Sequence, residues 1–193
     1  MNNLNHFISE SYFIIFLRVA YSVGIRLRGA IYALFRSFNL CGAKLKIGKM
    51  FTLKGGKFIN LGSCVKIGNN CRFELIKSQK YAPYLKIGNN VNFGNNVHIG
   101  CIGKIIIENG VLMGSNILII DHNHGTPKID AREKPSEILP KCRKITHTGN
   151  IVIEKNVWIC DGAIILGGSK IEEGAIIGAQ EIVKGFRSRL ITK

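Results

Sequence analysis

The histidines of this chain are concentrated in one polar segment. Three of the five histidines, His122, His124 and His147, lie between Ile120 and Gly149, a stretch that also holds three of the four prolines and six lysines or arginines. A neutral imidazole titrates near physiological pH and can take a proton from a hydroxyl group, so a well-held histidine suits general-base chemistry. We therefore expect functional chemistry in this segment.

His122 is the histidine best placed for such chemistry, because it follows the apolar pair Ile119-Ile120 closely and a rigid element can hold its ring. Its second ring nitrogen needs an acceptor that sets the tautomer. A backbone carbonyl or a carboxylate of the same segment could supply it: Asp130, Glu133 or Glu137. For His124 and His147 a place on the surface or in loop packing is the competing interpretation, which we favour for His147.

The elements that must hold this segment follow a short repeat. Large apolar residues recur every sixth position from about residue 45, and the pentapeptide Lys-Ile-Gly-Asn-Asn occurs at 66–70 and again at 86–90. The longest unbroken run is Ile153, Ile159, Ile165, Ile171, Ile177 and Val183. This period fits neither a helix nor an alternating strand. It predicts stacked coils of short strands, with Gly or Asn in left-handed conformation at the corners and one continuous aliphatic column inside.

Composition and charge limit the class of protein. Hydrophobic residues make up 46% and charged residues 20% of the 193 residues, which excludes a disordered chain. The net charge of +15, from 27 Lys and Arg against 12 Asp and Glu, predicts an anionic partner. The six cysteines form no C-x-x-C pair, so we expect small core or turn residues in a reducing cytosol.

Residues 1–40 form an N-terminal arm with helical spacing. Arg18 interrupts its apolar run, which disfavours a membrane-spanning helix, and no basic n-region of a secretory signal is present. A stripe with three arginines follows one helical face: Arg18, Ser22, Arg26, Gly29 and Arg36. Two interpretations stay open. The helix lies in the interface of an anionic membrane, or it caps the body or packs in an oligomer.

The repeat resembles the left-handed parallel β-helix of the hexapeptide-repeat acyltransferases over about residues 45–185. Asp-His-Asn-His-Gly at 121–125, then Pro140, Arg143 and the stretch 149–159, is similar to the sugar O-acetyltransferase branch of O-antigen, capsule and colanic-acid assembly. The resemblance implies a mainly β fold with a helical arm at 1–40, an acetyltransferase domain at 41–185 and a basic tail at 186–193. One extended loop leaves that domain at 121–150.

The resemblance also implies an activity and its residues. An acetyl group passes directly from acetyl-CoA to a sugar hydroxyl, His122 is the catalytic base, and neither a metal nor a cysteine nucleophile is needed. Acceptor contacts carry over to Asp121, Asn123, His124, Arg143 and Trp158. The coenzyme groove, which this family forms between subunits of a homotrimer, carries over to Trp158, Asp161, Gly162, Ala163, Ala179, Gln180 and Lys184.

Some of these positions depart from the family pattern. Cys160 and Asp161 stand where Gly and Ser are usual, and Gln180-Glu181 replaces Gly-Ser. Trp158 precedes an axial Ile and should point outward, either into the cleft or into a subunit contact. The basic residues of the C-terminal segment either meet the phosphates of the coenzyme or are simply solvated: Lys184, Arg187 and Arg189.

Other functions remain open from the sequence. Transfer to the nitrogen of an amino sugar or another small acceptor uses the same fold. A zinc-dependent carbonic-anhydrase-like protein would need three histidines, and His98, His122 and His124 are the candidates, although the last two are only two positions apart. A non-enzymatic binder of anionic surfaces fits the charge, but the lysines lack interleaved aromatic residues, so we expect no nucleic acid partner. The expected location is cytoplasmic, with peripheral attachment to the inner membrane as an option.

Overall fold

The structure, a computed structural model, describes residues 12–35, 37–78, 80–125 and 138–189. One helix precedes a series of short strands. In chain order the elements are α1 (Tyr12–Leu34), β1 (Leu40–Cys41), β2 (Lys46–Ile47), β3 (Thr52–Lys54), β4 (Ile59–Leu61), β5 (Lys66–Ile67), β6 (Arg72–Leu75), β7 (Tyr84–Ile87), β8 (His98–Cys101), β9 (Lys104–Ile107), β10 (Leu112–Met113), β11 (Leu118–Ile120), β12 (His122–His124), β13 (Ile145–His147), β14 (Ile151–Ile153), β15 (Trp158–Ile159), β16 (Ile164–Leu166), β17 (Lys170–Ile171), β18 (Ile176–Ile177), β19 (Ile182–Val183) and β20 (Phe186–Arg187).

The strands stack into three parallel sheets, which are the three sides of one coil. The first side has the strand order β1-β4-β7-β9-β14-β17-β20 and the third β19-β16-β11-β8-β6-β3. The second side consists of two strand groups, β2-β5 and β10-β15-β18. Asn92 joins them, because it forms isolated β-bridges with Lys66 and with Leu112. Each strand of these three sides pairs in parallel with strands of the neighbouring coils, so the fold is a parallel β-helix, as the sequence predicted.

The six-residue period puts its large residues on the axis. The run from Ile153 to Val183 is at most 1% exposed at every sixth position. In the amino-terminal coils an aromatic column continues the core, because Phe73 contacts Phe51 and Phe93 with ring centroids 5.2 and 5.3 Å apart. Since full burial of such a side chain contributes about 1.5–3 kcal/mol, the axial column supplies most of the stabilisation of the coil.

Asparagine performs two different tasks at the corners. The second residue of the corner pairs 69–70, 89–90, 95–96 and 115–116 is an Asn in the left-handed backbone conformation, with φ between 56° and 60°. The first Asn uses its side-chain carbonyl to accept a backbone N–H of the preceding coil, as Asn89 does from Ser63 at 2.7 Å. The predicted left-handed corners are therefore confirmed, and the adjacent amides add a hydrogen-bonded ladder that the spacing did not reveal.

Helix α1 covers the open edge of the first coil. Arg28 donates from Nε to the carbonyl oxygens of Ile47 and Gly48, at 2.9 and 3.1 Å, on β2 and just after it. Gly29 lies so close to the chain that a Cβ would collide with the Leu45 carbonyl oxygen. An uncovered strand edge invites pairing with another chain, so the inner face of α1 acts as a cap, which is one of the two interpretations of the arm.

The observed solenoid is slightly longer than the domain expected at 41–185. It begins with β1 at Leu40 and ends with β20, where Phe186 pairs with Lys170 and Arg187 with Ile171. The first two residues of the expected basic tail therefore belong to a sheet. In the part of the chain that the structure describes, no helix has both the length and the apolar character needed to cross a membrane.

Candidate active site

The predicted catalytic segment leaves the solenoid as a small hairpin. After β11 the chain enters β12, which pairs antiparallel with β13 so that His122 faces His147 and His124 faces Ile145. The backbone N–H of Thr148 donates to the Asp121 carbonyl at 2.8 Å and closes the base of this hairpin. The two strands therefore bring two histidines to the corner between the third and the first side, where the rigid coil resumes at β14.

Asp121 is the anchor of this corner. Its side chain is fully buried. Oδ1 accepts the Ile102 backbone N–H at 2.9 Å, and Oδ2 accepts that of Gly103 at 2.8 Å. Burial by itself raises the pKa of this carboxyl, but the hydrogen bonds from His122, Ile102 and Gly103 outweigh it, so the pKa lies below its ordinary value of 3.8. Asp121 is therefore a carboxylate at neutral pH.

This carboxylate also orients His122. The distance from His122 Nδ1 to Asp121 Oδ1 is 3.0 Å. A carboxylate only accepts hydrogen bonds, so Nδ1 carries the hydrogen and Nε2 of a neutral ring keeps its lone pair. Asp121 is thus the acceptor of this nitrogen. The sequence had predicted a backbone carbonyl, Asp130, Glu133 or Glu137 in this role, and these three residues lie outside the described ranges. The acceptor contact expected of Asp121 does not fit its complete burial.

Two glycines make room for the imidazoles. Gly100, on β8 of the preceding coil, lies under the ring of His122, and a Cβ there would come within 3.1 Å of Cε1. At Gly103 a Cβ would collide with His147 Nε2. Contacts this tight leave no space for a larger residue, so both side chains are held against the backbone of the preceding coil.

His147 lies on the other side of the same carboxylate. Its Nε2 is 3.9 Å from Asp121 Oδ2, and Tyr81 packs on its ring with centroids 5.2 Å apart. The sequence favoured a surface or loop-packing position for His147, but its ring packs against Gly103 and Tyr81 of earlier coils, beside Asp121, and no motif indicated this. Histidines far apart in sequence gave no signal that one carboxylate would lie between them.

The other predicted acceptor contacts lie on two different parts of the solenoid. Asn123 and His124 are exposed on β12, and Arg143 packs nearby, with its Cδ 3.4 Å from the position a Cβ would take at Gly125. Trp158 lies on the second side, 47% exposed, as its outward position predicted. It stands in register between Leu112 and Ile176, which are also exposed, so these three side chains form an apolar ladder.

The predicted coenzyme residues gather mainly at one corner, between the second and the third side. Asp161 accepts the Ser115 backbone N–H there, as the first Asn does at other corners. Gly162 and Gln180 both have left-handed backbones, and Ala179 is exposed beside them. Ala163 is fully buried, so its side chain belongs to the core and cannot line a groove. Only its matching position in the family resemblance had assigned it to the groove.

Lys184 and His122 occupy a different corner from these residues. Lys184 is exposed after β19, at the corner between the third and the first side, where His122 also lies. The four other residues lie in turns that join the second side to the third: Asp161, Gly162, Ala179 and Gln180. Within one chain, these turns and His122 are therefore at different corners.

Cysteine and metal chemistry find little support at this corner. Burial, reinforced by the nearby charge of Asp121, raises the pKa of the Cys101 thiol well above its ordinary value of 9.0, so it stays protonated. Both ring nitrogens of His98 are occupied, by Arg72 and by Glu74, each at 3.0 Å. Within the described ranges, no three His, Cys, Asp or Glu residues are grouped to hold a metal ion, and this includes the three histidines of the zinc alternative.

Comparison with known proteins identifies relatives by sequence, although no protein-family profile matches the chain. This chain is 30% identical over 163 residues to a Schizosaccharomyces pombe protein provisionally named an acetyltransferase. The alignment covers 74% of this chain and 71% of that protein. The chain is 32% identical over 96 residues to WbbJ of Escherichia coli, provisionally named a lipopolysaccharide biosynthesis O-acetyl transferase. That match covers 50% of this chain and 48% of WbbJ, so the chain spans about half the length of that relative.

Solved structures share the fold at low sequence identity. A variant of AntD, an N-acyltransferase from Bacillus cereus in complex with a dTDP-amino sugar and coenzyme A, superposes with a TM-score of 0.64 at 19% identity, over 81% of this chain and 79% of AntD. A hexapeptide-repeat acetyltransferase of Vibrio cholerae with acetyl coenzyme A gives a TM-score of 0.52 at 22% identity, over 94% and 83% of the two chains. The predicted fold class is confirmed, and these neighbours agree with the left hand that the resemblance implied.

Proposed function

Because this chain belongs to the hexapeptide-repeat acetyltransferases, we propose that it transfers acetyl from acetyl-CoA to a sugar hydroxyl of a bacterial surface polysaccharide or its precursor. The observation that carries the proposal is the buried pair of Asp121 and His122, whose Oδ1 and Nδ1 are 3.0 Å apart. Such a pair has the geometry of a general base with a fixed tautomer. The WbbJ match, to a protein named for O-acetyl transfer in lipopolysaccharide biosynthesis, supports the acceptor class.

The proposed reaction needs one proton acceptor and no covalent intermediate. The acceptor hydroxyl oxygen attacks the thioester carbonyl carbon while Nε2 of His122 takes its proton. When the tetrahedral intermediate collapses, the carbon–sulfur bond breaks, and the imidazolium returns the proton to the departing thiolate. The products are a sugar acetate ester and coenzyme A thiol. Asp121, held by two backbone N–H groups, stabilises the imidazolium between the two steps.

We assign the acceptor to the exposed side of the hairpin. Asn123, His124 and Arg143 lie beyond His122 on the same excursion, so they can contact hydroxyl or phosphate groups of a sugar substrate. Trp158, Asp161, Gly162, Ala179, Gln180 and Lys184 remain the proposed contacts of the coenzyme. For Asp161 and Gly162 the backbone supplies the contact, since the Asp161 side chain is already bonded to Ser115.

The proposed active unit is a homotrimer, because each chain separates the base from most of the coenzyme residues. His122 lies at one corner of the triangle and the turn of Ala179 and Gln180 at another. A neighbouring chain can bring its own Ala179 corner against His122 and form the groove between the copies. Cytoplasmic location with peripheral attachment to the inner membrane also belongs to this proposal.

The function is tested by measuring coenzyme A thiol release from acetyl-CoA with a panel of acceptors. We expect release to depend on hexopyranosides or on polysaccharide repeat units with free hydroxyls, and mass spectrometry to locate an acetate ester on the sugar. An ester is cleaved by mild alkali, whereas an amide is not. A product formed only with amino sugars and stable to alkali would favour the N-acetyl alternative, and the absence of any acceptor-dependent release would contradict acetyl transfer.

The shared site predicts complementation between two inactive variants. His122→Ala removes the base, and Ala179→Trp fills the exposed coenzyme corner. Each trimer that contains both variants has one interface in three where an intact His122 meets an intact Ala179 of the next chain, so we expect about one third of the wild-type rate. Co-expression with two purification tags isolates the mixed trimers. Activity that stays as low as in either variant alone would show that both residues act within one chain.

A further inference from the structure

The outer face of α1 is apolar although it is not covered by the solenoid. Its exposed side chains recur at helical spacing, and each is between 43% and 78% exposed: Val19, Val23, Leu27, Ile31 and Leu34. On the opposite face Ile25 and Gly29 are buried against the first coil. An exposed apolar stripe of this length on one helix indicates a surface that another phase or partner covers.

A groove with a basic lining runs beside this stripe. It has a volume of about 620 Å³ between α1 and the first coils, and its floor consists of small residues such as Ala30, Ala33 and Gly42. Four cationic side chains line it: Arg26, Lys44, Lys46 and Lys66. We call these four residues the basic groove. Arg26 adjoins Leu27 of the stripe in sequence, so charged and apolar groups meet along the same helix.

The charge of this end of the molecule indicates what the partner is. Between Glu10 and Glu74 the sequence has no acidic residue, whereas it has eleven basic ones: Arg18, Arg26, Arg28, Arg36, Lys44, Lys46, Lys49, Lys54, Lys57, Lys66 and Arg72. A second copy of this surface would bring like charges together, which is unfavourable at an interface. A partner with an anionic surface and an apolar interior would be complementary to both the apolar stripe and the basic groove.

We propose that this surface docks the protein on an anionic phospholipid membrane. Helix α1 lies in the plane of the interface with its stripe among the acyl chains, and the basic groove binds headgroup phosphates. The inner face of α1 remains the cap of the solenoid, so one helix serves both purposes. This inference deepens the membrane part of the proposed function and identifies the surface responsible, but it does not require acetyl transfer to occur.

Vesicle sedimentation tests the docking with the full chain. We expect the wild-type protein to bind vesicles of phosphatidylcholine and phosphatidylglycerol, to bind phosphatidylcholine vesicles far less, and to be released as salt is raised. Each basic residue near such a surface contributes about fivefold in affinity. The Lys44→Glu/Lys66→Glu variant should therefore bind about 25-fold more weakly or worse. Val23→Gln/Leu27→Gln should lose at least about tenfold, because the stripe no longer enters the interface.

Matched variants at other positions separate docking from a general charge effect. Lys104→Glu/Lys155→Glu changes the net charge by the same amount on exposed residues elsewhere, and Ile182→Gln replaces an exposed apolar residue on the third side. Both should bind vesicles like wild type. An equal loss in the charge control, or no preference of the wild-type protein for anionic vesicles, would overturn the proposal.

Two further measurements keep the outcomes distinct. Light scattering reports whether Val23→Gln/Leu27→Gln dissociates the oligomer; dissociation without vesicle binding by the wild type would assign the stripe to a contact between copies and overturn membrane docking. Acetyl transfer to a soluble acceptor should be retained by Val23→Gln/Leu27→Gln, which also shows that the variant folds. Vesicle binding without acetyl transfer would leave docking in place and refute the proposed enzyme activity instead.

Discussion

Replacement of His122 by alanine is expected to lower the rate of acetyl transfer about 10²–10⁴-fold, the contribution that a positioned general base usually makes. Most of the proposed coenzyme residues lie at another corner of the chain and stay intact in this variant, so the KM for acetyl-CoA should change little. The decisive readout is chemical rescue: added imidazole should restore part of the rate, because the deleted ring, which packs against Gly100, leaves a space of its own size. Steady-state kinetics with and without imidazole measure both effects.

The matched control for this variant is His98→Gln, which alters a half-buried histidine of the same solenoid. His98 is bonded to Arg72 and Glu74 and has no place in the proposed reaction, so its replacement should leave the rate near that of wild type. Wild-type activity in His122→Ala would refute the assignment of the base. Equal inactivation of both variants, together with stoichiometric zinc in the purified protein, would favour the zinc alternative.

Replacement of Asp121 by asparagine is expected to be the other severe change, with kcat lower by about 10²–10⁴-fold. The carboxylate accepts hydrogen bonds at both oxygens, from Ile102 and His122 at Oδ1 and from Gly103 at Oδ2. The amide NH2 of asparagine must therefore face a donor on one side. If it faces His122, it forces Nδ1 to accept and places the proton on Nε2, where the base can no longer act.

The Asp121 carboxylate should also give a characteristic pH dependence of stability. Its pKa is lowered on folding from the ordinary 3.8, so its contribution is fully present above that value and is lost as the pH falls through the lower, folded pKa. The stability difference between wild type and Asp121→Asn in urea unfolding should thus be constant from neutral pH to about 5 and shrink in stronger acid.

A control for this pH effect is Glu154→Gln, which alters a carboxylate that also accepts a backbone N–H, that of Glu173 at 3.0 Å. It lies outside the candidate site, so activity should persist. A difference for Asp121→Asn that grows as the pH falls would contradict the assigned direction of the pKa.

Much of the candidate site could be predicted because the proposed base is marked by its own side chain. His122 stands where the six-residue period stops, and the structure places it at the corner where the hairpin leaves the solenoid. Asp121 was also found, but with the wrong role, since its burial depends on the coil beneath it. The amides that hold it, those of Ile102 and Gly103, left no trace in the sequence, because every residue except proline carries such a group.

His147 and the outer face of α1 illustrate the same limit at longer range. The antiparallel pairing of β12 and β13 brings His147 beside Asp121, and no local spacing announces that contact. For α1, the helical period predicted an amphipathic element but could not tell which side would face the solenoid. The close contact of Gly29 with Leu45 shows which face of α1 packs on the solenoid. The apolar stripe from Val19 to Leu34 is therefore on the exposed face.

By itself the sequence determined the stacked-coil fold, the axial core and the identity of the candidate base. Each of these follows from side chains within a few positions of one another, and a six-residue period of buried aliphatics admits few other solutions. Only the tertiary structure decided that Asp121 is the partner of His122 and that His122 and the Ala179 corner lie apart on one chain. Both features depend on which residues come into contact when separate coils stack. An excursion of variable length lies between the coils, so local sequence spacing does not predict which residues pair.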